Sequence, residues 1–256
     1  MASATTGGAW RRLDRVAVIG GAFSISILSW FMLTTSPALF GIAHAVARPH
    51  ASSGPWVVVA TATMWMTMMV AMMLPPVLPW IALFTSTRRD RDGRQPFGDT
   101  SVFVSGYFSV WAPFCVVAAM AQIALSAGMH GAQADLGPVG SRAGGSLLVL
   151  AGLYQFSPLK AACLRHCRSP LGFFLTRWVD GPAGAWRMGA THGLYCLGCC
   201  WALMAVSFAV GVMNVVWMGV LTVVMSIEKI APMGRGLGRV FGLGLIIWGS
   251  VLAVMR

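Results

Sequence analysis

Apolar residues run along this chain in long blocks, and polar residues gather in the short stretches between them. An uncharged block of about 20 apolar residues is long enough to cross a bilayer as a helix. Read this way, the pattern predicts seven spans, near 16–35, 56–85, 101–127, 144–162, 188–210, 215–227 and 240–255. The first block follows Arg11, Arg12 and Arg15 and is expected to stay in the mature chain as a span rather than to be removed as a leader. Pro75, Pro76 and Pro79 are expected to bend or break the second span, because proline removes a backbone donor and clashes with the preceding turn. Gly211 to Asn214 reads as a tight turn between spans five and six, and residues 168–187 as an amphiphilic loop.

The expected fold is therefore all-α: a polytopic transmembrane helix bundle in which one domain uses residues 1–256, with 1–15 as a tail. Composition agrees, since 57% of the residues are hydrophobic and 10% charged, against roughly a quarter charged in soluble domains. The net charge of +11 could suggest nucleic acid, but its distribution does not. Lys and Arg sit between the apolar blocks, where they set topology and meet anionic lipid. With seven spans and a cytoplasmic N-terminus, 15 of the 18 basic residues fall on the inner side and 3 on the outer. That is the split the positive-inside rule asks for, and it supports both the span count and an N-terminus on the inner side.

The chemistry-bearing stretch is Met188 to Met204. Met188, His192, Cys196, Cys200 and Met204 recur every four residues, with Cys199 beside them. Such positions share one helix face, and a drift of about 40° per step lets adjacent members converge. Thiolate, thioether and imidazole together suit Cu(I), and the Cys/His subset also suits zinc. The alternative is packing, since Cys and Met also fill apolar interiors. Span two carries Met64, Met66, Met68, Met69, Met72 and Met73. Met68, Met72 and Met73 are the candidate thioether ligands, at a depth that overlaps the cysteines if the two spans are neighbours. Span four ends in Cys163 and Cys167 with His166 between them, either a second thiolate station at the inner edge or an ordinary helix end. Lys160 and Arg165 nearby would favour thiolate. Glu228, the single glutamate, stands with Lys229 at the end of span six and reads as an interfacial ion pair or as a partner for a ligating His. His44, His50 and His130 are too scattered to make a site.

These motifs together resemble a bacterial family of integral membrane proteins described as metal-binding and labelled copper chaperones. The resemblance rests on Trp65-x-x-Met68-x-x-Ala71-Met72-Met73-x-Pro75 and on Tyr154-Gln155-x-x-Pro158-Leu159-Lys160-x-x-Cys163-x-x-x-Cys167. It rests further on Gly198-Cys199-Cys200-Trp201-x-Leu203-Met204, on Gly211-x-Met213-Asn214 and on Glu228-Lys229, and it covers residues 56–249. It implies metal binding and, more loosely, copper delivery.

The leading expectation is a Cu(I)-handling membrane protein that serves a copper enzyme or a soluble copper carrier, with the lipid bilayer as its environment. A soft-metal transporter is the alternative, motivated by ligands strung from mid-depth to the inner edge. Against it stand the lack of a nucleotide-binding loop and the scarcity of membrane carboxylates. A membrane thiol enzyme, or a haem- or quinone-linked redox protein, is the third reading. No cysteine falls in an outer loop, and vicinal Cys199 and Cys200 make a poor disulfide on a helix, so the sequence points away from an enzyme.

Overall fold

Helix is the only regular structure among the described residues, as the apolar blocks require. A computed structural model describes residues 3–36, 41, 54–92, 97–128 and 142–254. In chain order the helices are α1 (Ser3–Thr35), α2 (Pro55–Asp92), α3 (Phe97–Gly128), α4 (Arg142–Tyr154), α5 (Pro158–Cys167), α6 (Pro170–Thr176), α7 (Gly181–Val210), α8 (Val215–Ile230) and α9 (Gly234–Val254). Five of them contain stretches long and apolar enough to cross a membrane: Val16–Thr35, Pro55–Thr87, Gly98–Ser126, Gly181–Val210 and Gly234–Val254. Their outward residues include Phe23, Leu28 and Phe31 on α1 and Val240, Leu243 and Ile247 on α9, the surface that acyl chains can cover.

The expected break in span two does not occur: α2 runs unbroken through Pro75, Pro76 and Pro79. Pro75 has no N–H for the Ala71 carbonyl one turn earlier. Two donors of α1 take its place, Ser26 Oγ and Trp30 Nε1, each 3.1 Å from the Ala71 oxygen. A neighbouring helix thus satisfies a backbone group that lipid cannot.

Span four differs in the opposite sense. Residues 144–162 are not one straight span, because α4 and α5 meet at 62°. Pro158 opens α5, and Ser157 caps it by accepting from the Lys160 N–H at 3.1 Å. The bend turns α5 back over α7 and carries Cys167 inward. The loop expected at 168–187 contains α6 and the first turns of α7, which starts at Gly181, seven residues before the predicted span. Residues 3–15, read as a tail, continue the α1 helix.

The turn expected at Gly211 to Asn214 is present. The α7–α8 turn is built on Gly211, at φ +100°, and on Asn214, whose Oδ1 accepts from the Trp217 N–H at 3.3 Å. Glycine is suited to that positive φ because it has no Cβ. The helices α3 and α7 approach closely where α7 has Gly189 and Gly193. A Cβ at Gly193 would stand 2.8 Å from the Tyr107 carbonyl. Small residues at such crossings let backbones meet, and here they bring Tyr107 against the cysteine face. His44, His50 and His130 lie outside the described residues.

Candidate metal centre

The four-residue repeat of α7 forms one buried face. Met188, His192, Cys196, Cys200 and Met204 are all buried, and Cys199 with them. In the methionine block of α2, Met64, Met68, Met69, Met72 and Met73 are buried and Met66 is half-buried. Sulfur of the two faces meets where the Cys196 thiol lies 3.9 Å from Met73 Sδ.

Around this contact the sulfur atoms are linked in pairs. Cys199 Sγ lies 3.3 Å from Cys200 Sγ and 3.8 Å from Cys167 Sγ. Cys167 therefore belongs with the α7 cysteines and is not a separate station at the edge. Its position is held by Trp80, whose Nε1 donates to the Cys167 carbonyl at 2.9 Å. Cys163 does not join them. It is half-buried, and its side chain packs against the backbone of Gly198. His166 is exposed and stacks on Tyr195 at 4.2 Å, away from the cluster.

His192 is gripped by aromatic rings. It stacks on Trp80 at 3.7 Å and on Tyr107 at 5.4 Å between ring centres. Its Nδ1 is buried with no hydrogen-bond partner, an open donor atom beside the sulfur face. Met68, Met72 and Met204 are buried in the same core.

Three side chains touch this cluster in ways the sequence does not disclose, and of them the sequence singles out Lys229 alone. Tyr107 Oη lies 2.9 Å from Cys196 Sγ. Lys229 Nζ donates to Cys196 Sγ at 3.0 Å and lies 3.8 Å from Met73 Sδ. Trp80 anchors both His192 and Cys167. The Glu228–Lys229 dipeptide did flag charge inside an apolar run, but it suggested that the two act together. Consecutive helical residues point about 100° apart, so the pair divides. Glu228 turns to Lys160, with Nζ 2.8 Å from Oε2 and both side chains buried. Lys160 also donates to Gln155 Oε1. Arg168 closes the end of α8 by donating to the Glu228 carbonyl at 2.6 Å and the Pro232 carbonyl at 3.2 Å.

Residues 62–252 match the model of the PpoB2 family, described as copper chaperone. The chain belongs to this copper chaperone family. The match takes in every sulfur and imidazole side chain of the cluster, from Met68 to Met204, as well as Lys229. No curated protein matches the chain, and no solved structure matches it.

What the donors suit can be tested on their spacing. With metal–sulfur bonds of about 2.3 Å, tetrahedral sulfur ligands stand about 3.8 Å apart. The Cys167–Cys199 and Met73–Cys196 separations, 3.8 and 3.9 Å, match that length, whereas Cys199–Cys200 at 3.3 Å is shorter. Among the described residues, however, no group of three or more His, Cys, Asp or Glu is arranged to hold a metal ion. To hold an ion, these sulfur pairs would need a further ligand, from a thioether or from rotation of a thiol.

Proposed function

We propose that this protein is a multi-pass copper-handling protein of the bacterial inner membrane. In this reading it holds Cu(I) on sulfur shared between α2 and α7, for delivery to a copper enzyme or exchange with a soluble carrier. The observation that carries it is the Met73–Cys196 contact at 3.9 Å, which joins the methionine block to the cysteine motif inside an apolar bundle. Cys196, Cys199, Cys200, Cys167 and Met73 are the inner ligand set, with the free Nδ1 of His192 as a further donor. Met68, Met72 and Met204 supply thioethers nearby, and the outlying Cys163 serves entry or release. Soft sulfur donors favour Cu(I), with zinc as the competing ion.

Membership in the copper chaperone family and five membrane-length apolar helices support copper handling in a bilayer. Counting the bent α4–α5 pair and the short α8 as crossings gives seven, with the N-terminus on the cytoplasmic side, as the basic residues ask. X-ray absorption at the copper edge tests the ligand assignment. The expected spectrum is that of Cu(I) with a sulfur-dominated shell near 2.3 Å, and a shell of nitrogen and oxygen alone would overturn it.

A second reading has one observation in its favour. One sulfur pair, Met73–Cys196, lies beside another, Cys199–Cys167 at the end of α5, with the Cys199 thiol donating to the Cys196 carbonyl at 3.2 Å between them, an arrangement along which ligand exchange could carry the ion. Metal flux into sealed vesicles separates a transporter from a chaperone, and no flux under any gradient excludes the transporter.

A further inference from the structure

Lys229 brings a buried positive charge to the sulfur cluster. Its ammonium contacts sulfur, 3.0 Å from Cys196 and 3.8 Å from Met73. The carboxylate next to it in sequence is engaged by Lys160 on another face of α8. The Lys160–Glu228 pair is neutral within itself. The charge of Lys229 is left over beside the thiols, in apolar surroundings where an uncompensated charge is strongly disfavoured.

We propose that Lys229 is a specificity-determining residue: its ammonium is the counter-charge of a metal–dithiolate complex and makes the site select a soft singly charged ion over a doubly charged one. This rests on the copper reading above. A singly charged cation on two thiolates carries one net negative charge, which Lys229 cancels. A doubly charged cation on the same two thiolates is already neutral, and Lys229 leaves the assembly positive. Charge interactions are weakly screened inside an apolar bundle. The site is therefore neutral with Cu(I) and disfavoured with Zn(II) by the position of one amine. Sulfur softness alone does not set this preference, since thiolates bind both ions well.

The test is a competition between Ag(I), a redox-stable soft monovalent probe, and Zn(II), each at equal concentration with the full-length protein in detergent. Bound metals are then measured by element analysis in wild type, Lys229→Gln, Lys229→Met and Lys229→Arg. The expected result is an Ag-to-Zn ratio lowered about tenfold or more in the Gln and Met variants, a change equivalent to at least about 1.4 kcal/mol, with Arg close to wild type. A merely structural role would lower both metals together and leave the ratio unmoved. An unchanged or raised ratio in the Gln and Met variants overturns the proposal while the copper reading stands. A wild type that takes up neither ion overturns both.

Discussion

Lys160 on α5 and Glu228 on α8 form a buried ion pair at 2.8 Å, with side-chain exposures of 3% and 1%. This pair fixes the end of α8, and so it sets where the adjacent Lys229 side chain enters the sulfur cluster. Breaking a buried pair by removing one partner strands the other charge, at a cost of about 3–5 kcal/mol. Glu228→Gln is therefore expected to lower the thermal midpoint in detergent by several degrees. Replacing both partners, as Lys160→Met with Glu228→Leu, should recover much of that loss, and a double variant as unstable as the two single losses combined would contradict the pairing.

The prolines of α2 give a second prediction. Ser26 and Trp30 both donate to the Ala71 carbonyl that Pro75 leaves open. Each donor is worth about 1 kcal/mol, and losing both leaves a buried acceptor unsatisfied at about 1–3 kcal/mol. Ser26→Ala with Trp30→Phe should destabilise by more than the sum of the single changes. Pro75→Ala restores the missing N–H and should reduce that penalty, as measured by unfolding in a denaturant series.

How far the sequence reveals this arrangement depends on the scale of the signal. The spans of α2, α3 and α7 are legible because long uncharged blocks have few other fates, and the α7 face is legible because its spacing of four keeps to one side. The unbroken α2 is not, because the donors that satisfy Ala71 come from a helix some 40 positions away. The inward turn of Cys167 is not either, since it depends on the 62° bend at the α4–α5 junction. Lys229 and Tyr107 look ordinary alone, and only tertiary packing puts both against one thiol.

The division between Cys163 and Cys167 is testable by labelling. Cys163 is half-buried and Cys167 is buried beside Cys199. A membrane-permeant maleimide should react with Cys163 well before Cys167, Cys196, Cys199 or Cys200, read by mass spectrometry of peptides. Cys163→Ala should keep its copper, whereas Cys167→Ala should weaken retention several-fold. Equal labelling of all five thiols would contradict the burial that separates them.

Close approach of α3 and α7 predicts a steric effect. A methyl group at Gly193 would press on the Tyr107 carbonyl and on Val110. Overpacking of this kind costs about 1–3 kcal/mol. Gly193→Ala should therefore lower stability and loosen the Tyr107–Cys196 contact, seen as faster alkylation of Cys196. A variant as stable as wild type would show that the helices are not in contact there.

The central claim is that sulfur from α2 and α7 together grips copper inside the bundle. Its most direct test is the copper content of protein purified from native membranes without added metal, in wild type, in Cys196→Ser with Met73→Leu, and in Cys115→Ser as a control on α3. The account predicts copper in wild type and control and its loss from the double variant. Equal copper in all three, or none in wild type, would contradict it.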